Sequence, residues 1–202
     1  MKKRGLLLGT EGVLCSTVRL HKQAWETVLA LNHIAFEGID ALDFISLSRA
    51  EGLDALLSLS GTELSLAERE LLLGEKNNQY RQLLANIDRS SLLPGVEELL
   101  RDLREGDFSL CLVTRSKNAI LILRQLGLDG AFDAVCDGND RVFPSGEQDM
   151  YHYASRLLSL PPQACLVWEN CDPFIKNAQS VGFKTLSGTA AQVRQALLER
   201  EP

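Results

Sequence analysis

Short apolar runs alternate with amphipathic stretches along most of this chain. Residues 5–8, 109–114, 132–136, 164–168 and 183–186 read as buried strands. Between them, residues 95–104, 119–125, 149–158, 173–180 and 190–199 repeat apolar positions at helical spacing. Pro94 and Pro173 sit near helix starts, where a missing N–H costs little. Strand and helix in alternation predict βα units on a parallel sheet.

Residues 18–90 break the alternation, because no strand pattern occurs there. Leu20, Ala24, Val28 and Leu31 recur at helical spacing, as do Leu53, Leu56 and Leu57. Leu66, Leu71 and Leu72 continue the pattern, followed by Tyr80, Leu83 and Leu84. A helical insertion therefore follows the first strand directly. In an open parallel sheet, ligands bind beyond the carboxyl ends of the strands. The predicted strand exits are Gly9-Thr10-Glu11-Gly12, Thr114-Arg115-Ser116-Lys117-Asn118, Asp137-Gly138-Asn139-Asp140 and Glu169-Asn170-Cys171-Asp172. All four are polar.

Composition narrows the picture. A chain of 202 residues with 45% hydrophobic content supports one sizeable core, or a core and a small added domain. Its formal net charge of -6 argues against nucleic-acid binding, which needs a basic face. Five cysteines, an odd count with no CxxC pair, read as reduced thiols in a cytoplasmic protein. The apolar run after Met1-Lys2-Lys3-Arg4 is too short for a signal peptide, and no stretch has the length of a membrane helix.

Several segments together resemble the haloacid dehalogenase superfamily, in its β-phosphoglucomutase-like branch. They are Gly12-Val13-Leu14, His21 with Trp25, Ser48-Arg49, Leu93-Pro94-Gly95-Val96 and Thr114 to Asn118. Leu126-Gly127-Leu128, Phe132-Asp133-Ala134 and Val167-Trp168-Glu169 complete the set. The resemblance implies a three-layer Rossmann-like parallel-sheet core, residues 1–17 and 91–202, with an inserted all-helical cap domain, residues 18–90. It also implies phosphoryl transfer through an aspartyl-phosphate. In the family, one aspartate is the nucleophile and a second, two residues on, is the acid/base. A hydroxyl and a lysine hold the phosphate, and an acidic pair helps hold magnesium.

Carried onto this chain, the match is uneven. The nucleophile position is Gly9, and the acid/base position is Glu11. Thr114 matches the phosphate-binding hydroxyl. The lysine position falls near Ser145, and the acidic pair is Glu169-Asn170. Losing a covalent nucleophile costs on the order of 10⁴ to 10⁶ in rate. The resemblance also assigns Arg49, Ser116, Lys117 and Asn118 to the phosphate of the substrate half that does not react, with Lys76 adding to them. Guanidinium, ammonium, hydroxyl and amide donors suit that anion.

Plainer readings stand beside these. Glu11 also fits a solvated loop carboxylate, and Arg49 a surface residue at a helix start. Lys117 and Asn118 fit an ordinary helix N-terminus, and Lys76 a solvated helix face, the better of its two readings. His21 and Trp25 fit structural packing better than catalysis. His33 and His152 lack partners at metal-ligand spacing. Cys171 reads as a buried inert thiol.

Three functions follow. The first is a pseudoenzyme that has lost phosphoryl transfer and binds a phosphorylated metabolite or a protein partner. The second is an active sugar-phosphate phosphatase or phosphomutase with altered catalytic residues, which would require magnesium. The third is an interaction protein with a vestigial pocket. The first and third are expected over the second, with no cofactor, no bound metal, and no nucleic-acid or membrane partner.

Overall fold

A computed structural model describes residues 4–35, 39, 42–140 and 148–199. The chain divides into two compact units, Met1–Ser16 with Asp88–Pro202, and Thr17–Ile87. Ser145 and its neighbours, the expected lysine position, lie outside the described residues.

The first unit is built on five parallel strands: β1 (Arg4–Leu8), β2 (Phe108–Val113), β3 (Ala134–Cys136), β4 (Cys165–Trp168) and β5 (Lys184–Leu186). Their order across the sheet is β3-β2-β1-β4-β5. Leu8 pairs with Leu112 on one side and Trp168 on the other, so β1 is central. Central parallel strands are covered on both faces, which is why Leu6, Leu7 and Leu8 form a continuous apolar run.

The helices of this unit are α4 (Val96–Glu105), α5 (Ala119–Gln125), α6 (Gln148–Leu157), α7 (Asp172–Ser180) and α8 (Ala190–Leu198). Leu7, Cys111, Val113 and Val167 join Met150, Tyr151 and Ala154 of α6 in one buried cluster. Strand alternation turns Leu6, Leu8, Leu110 and Leu112 to the opposite face. There α4 packs on β2 and α8 packs on α4. All five cysteines are buried thiols outside any disulfide.

The predicted and observed ends of the strands and helices of this unit agree within two residues. β3 starts late because Asp133 completes the pairing by other means: its N–H donates to the Leu110 carbonyl (2.9 Å) and its carboxylate accepts from the Leu110 N–H (2.8 Å).

The second unit contains α1 (Val18–Leu31), α2 (Arg49–Ser60) and α3 (Leu66–Leu84). Ser48 and Ser65 each close a capping box with the glutamate three residues on, Glu51 and Glu68, which sets where α2 and α3 begin. Trp25, Val28, Leu29, Leu53, Leu56, Leu57 and Leu72 form the unit's core.

Three apolar positions of the expected stripes are exposed instead: Leu31 (73%), Leu66 (82%) and Leu71 (60%). In α3 the buried stripe is Leu72, Lys76, Tyr80 and Leu84, spaced four apart. Lys76 is 2% exposed, which corrects its reading as a solvated face. A lysine inside the buried stripe shifts the apparent apolar phase, so Leu66 and Leu71 fall outside it. Among the described residues, no helix is long and apolar enough to cross a membrane.

Leu7→Ala should destabilise the protein by about 2–5 kcal/mol, because it opens a cavity in the central strand. Leu66→Ala should change stability by about 0.5 kcal/mol or less. Urea unfolding of the two variants separates these outcomes.

Candidate functional site

Parallel strands place all their carboxyl ends along one edge of the sheet. From β1 the chain moves outward to β2 and β3, then returns to add β4 and β5 on the other side. The reversal falls between β1 and β4, where such sheets hold ligands. Gly9 leaves β1 there, and Glu169 leaves β4 beside it. The Gly9 N–H donates to the Trp168 carbonyl at 3.0 Å, and the Glu169 N–H to the Leu186 carbonyl at 3.1 Å.

Gly9 does not have the left-handed backbone that favours glycine; its reason is space. A Cβ added at Gly9 would collide with the carboxyl group of Glu169, whose Oε2 would lie only 2.7 Å away. The Glu169 side chain therefore fills the volume where a residue-9 side chain would begin. It is 6% exposed. Burial pushes its carboxyl up to about 7, and the neighbouring charge of Glu11 adds to the rise. Backbone N–H groups of Asn170 and Cys171 oppose it, the first reaching Oε2 at 3.2 Å.

Glu11 stands half-buried at the next position but one, bridged through its backbone to Cys15. Gly12, at φ 68°, turns the loop back so that its N–H donates to the Cys15 carbonyl at 2.8 Å. That conformation is strained for side chains other than glycine. Cys15 and Cys171 are both buried, and burial with the nearby Glu11 charge raises the Cys15 thiol to about 12.

Asn170 is fully committed. Its amide Nδ2 donates to the Gly12 and Gly188 carbonyls, the latter at 3.1 Å. Its Oδ1 accepts from the Gly188 N–H at 2.6 Å. The side chain thus ties the loop after β1 to the loop after β5. An aspartate could not donate either of the Nδ2 bonds. The Gly188 partner is 18 positions away and had no local signal in the chain.

The loop after β2 is a chain of hydroxyl turns. Thr114 Oγ1 accepts from the Ser116 N–H (3.2 Å), and Ser116 Oγ accepts from the Asn118 N–H (3.1 Å). Each hydroxyl keeps its own proton to donate. Lys117 is exposed and Asn118 is buried. The Lys117 carbonyl accepts from Asn139 Nδ2 at 3.0 Å, so the loops after β2 and β3 are laced together.

Arg49 and Lys76 belong to the helical unit. Lys76 Nζ lies 2.7 Å from His21 Nδ1. It also stands over the Tyr80 ring (4.7 Å) and the Trp25 ring (5.6 Å). His21 stacks on Tyr80 with centroids 4.0 Å apart, and the Tyr80 hydroxyl is hydrogen-bonded to Thr17 Oγ1 at 2.8 Å. Burial, then the Arg49 charge, lowers Lys76 to about 7. Burial, Lys76 and Arg49 also hold His21 well below its usual value, and burial lowers Arg49. His21, Trp25 and Tyr80 are the members of this cluster that sequence reasoning did not assign to a site.

Magnesium requires hard, anionic oxygens in near-octahedral array. Gly9 supplies none, and the Asn170 oxygen is a neutral amide oxygen that already accepts from the Gly188 N–H. Among the described residues no group of three His, Cys, Asp or Glu side chains is placed to hold a metal. The donor set at this strand edge does not fit the ion.

Comparison with known proteins gives a consistent family. The sequence profile of haloacid dehalogenase-like hydrolases matches residues 5–169. The chain is 27% identical over 182 residues to the β-phosphoglucomutase of Bacillus subtilis, spanning 89% of this chain and 80% of that protein. It is 25% identical over 182 residues to the fructose-1-phosphate phosphatase YqaB of Escherichia coli, spanning 89% of this chain and 93% of that one. A β-phosphoglucomutase crystal structure from Clostridium difficile superposes with a TM-score of 0.81 at 25% identity, covering 96% and 88% of the two chains.

Gly9→Ala should destabilise the protein only modestly, by about 1 kcal/mol, because the group it displaces is the carboxyl end of a flexible side chain. Pairing it with Glu169→Ala should recover part of that loss, a coupling of about 0.5–1 kcal/mol in a double-mutant cycle. Thermal or urea unfolding of the four proteins measures it.

Glu169 also sets a pH dependence. Its folded value of about 7 lies above the ordinary 4.5. The folded chain therefore keeps a proton that the unfolded chain has released. Its contribution is fully present below pH 4.5 and is lost as pH rises through 7. Glu169→Gln should flatten that part of the urea-midpoint profile.

Proposed function

The chain belongs to the haloacid dehalogenase-like hydrolase family, and from that premise we propose that it binds a phosphorylated metabolite without transferring the phosphoryl group by the aspartyl-phosphate route. The observation that carries this reading is the Glu169 carboxyl group lodged in the space of a residue-9 side chain. Residue 9 offers no nucleophile, and the carboxyl end of the Glu169 side chain rests in the space beside it. The committed hydrogen bonds of Asn170 support the same reading.

The groups that would hold a phosphate are kept. Thr114 and Ser116 have hydroxyl donors, Lys117 is exposed, and Asn118 closes the loop. The relatives named for β-phosphoglucomutase and fructose-1-phosphate phosphatase act on sugar phosphates, which makes a phosphorylated sugar the first ligand class to test.

In this reading the chain's own residues take the following roles. Thr114, Ser116, Lys117 and Asn118 bind and orient the anion. Glu11 opposes a further negative charge at the β1 exit, and Glu169 adds to this as pH rises above about 7. That like-charge barrier opposes the approach of a phosphoryl group to Gly9. Gly9 offers no covalent nucleophile, whose loss costs on the order of 10⁴ to 10⁶ in rate.

Purified protein assayed with glucose 1-phosphate and fructose 1-phosphate, with and without magnesium, should show no Glu11-dependent turnover. The same sugar phosphates should raise the unfolding temperature. At 100 times the dissociation constant, binding adds about 2.7 kcal/mol. Gly9→Asp alone should leave turnover absent. Magnesium-dependent hydrolysis lost in Glu11→Gln would overturn the reading in favour of an active phosphatase. Absence of any thermal shift would leave a protein whose pocket is vestigial.

A further inference from the structure

The first unit holds a cavity that the phosphate reading leaves unused. Its volume is about 330 Å³, within the range of about 300–1,000 Å³ typical of small-molecule sites. It lies at the amino end of the sheet, between the C-terminal halves of α4 and α8 and the first residues of β1 and β2. Arg4 opens β1 there, and an extended strand rising about 3.3 Å per residue places it about 16 Å from Gly9. The cavity is therefore separate from the strand exits. Its lining belongs wholly to the first unit, and it stands or falls independently of the phosphate reading.

Its walls are apolar and its rim is charged. Leu99 and Leu103, one turn apart on α4, line it together with Leu197 of α8, and all three are buried. The Phe108 ring adds an aromatic surface, with the Arg4 guanidinium 4.4 Å from its centroid. Arg194 of α8 is ion-paired with Asp102 of α4. Glu105 and Asp107 flank Gly106, where α4 ends, and both are exposed. Among the described residues the lining thus carries three carboxylates, Asp102, Glu105 and Asp107, against two guanidiniums, Arg4 and Arg194. One negative charge is left over. The C-termini of α4 and α8 add the negative ends of two helix dipoles.

We propose that this cavity is a second ligand site, which takes a small amphiphilic monocation: one ammonium group on an apolar body about the size of a single aromatic ring. The body displaces water from Leu99, Leu103, Leu197 and Phe108, a gain in proportion to the apolar area covered. It also covers part of Leu198, which lines the cavity and is 64% exposed. The ammonium lies at the rim with Glu105 and Asp107 and balances the charge that the two guanidiniums leave over. A neutral body leaves that charge uncompensated, and an anion meets the carboxylates and the helix C-termini. A phosphorylated sugar has the wrong sign and too little apolar surface.

The test is a titration of the full chain followed by methyl NMR. Phenethylamine should shift the methyl resonances of Leu103, Leu197 and Leu198 and leave the Thr114 methyl, at the strand exit, unchanged. Phenethyl alcohol, the same body without the charge, should bind several-fold more weakly, and phenylacetate more weakly still. Glu105→Gln combined with Asp107→Asn should weaken the amine several-fold and leave the alcohol unchanged; both side chains are exposed, so the fold should be kept. Where that variant does not fold, the three probes on the unaltered protein at low and high salt decide the matter, because salt screens charges at the rim. Methyl shifts absent at millimolar amine, shifts centred on Thr114, or alcohol or phenylacetate binding as tightly as the amine overturns the proposal.

Discussion

The contact between Gly9 and the Glu169 carboxyl group governs the strand edge of this protein. Two neighbouring parallel strands, β1 and β4, leave the sheet side by side. One ends in a residue with no side chain, and the other leans its own into the vacancy. Protein interiors are close-packed, so a missing side chain at such a place calls for a filler. Here the filler is ionisable. Burial and the neighbouring Glu11 make its charge unfavourable, and its carboxyl titrates near neutrality.

That arrangement changes the electrostatic character of the whole edge. A metal ion would ordinarily tolerate several carboxylates at one point by supplying the compensating charge. At this edge Gly9 carries no side chain and Asn170 carries a neutral amide. That amide ties the loops after β1 and β5 through three hydrogen bonds. The family membership is plain, and the family's chemistry does not transfer automatically, because activity resides in sites and not in folds.

The helical unit has its own unusual electrostatics. Lys76 is buried and His21 partly buried, and aromatic faces stand against the amine where, among the described residues, no carboxylate does. A ring face attracts a cation weakly compared with an ion pair. The amine is held near the point where it gives up its proton, and the imidazole is held neutral.

Much of this was legible in the chain itself. Apolar runs of four to six residues, separated by amphipathic segments, have only one economical arrangement, a covered parallel sheet. The glycine at position 9, the glutamate at 11 and the Glu169-Asn170 pair are local facts, and their chemistry follows from residue type. What the chain could not disclose is which groups touch. A pattern of apolar residues cannot register a lysine in a buried stripe, so Lys76 read as solvent-facing and Leu66 and Leu71 as core. Nor does any local signal say that Glu169, 160 positions after Gly9, turns into its vacant volume, or that Asn170 finds Gly188. Local periodicity determines the elements because it depends on neighbours a few residues apart. The packed Glu169 carboxyl and the buried amine arise only when distant segments are packed together, and tertiary structure alone decides them.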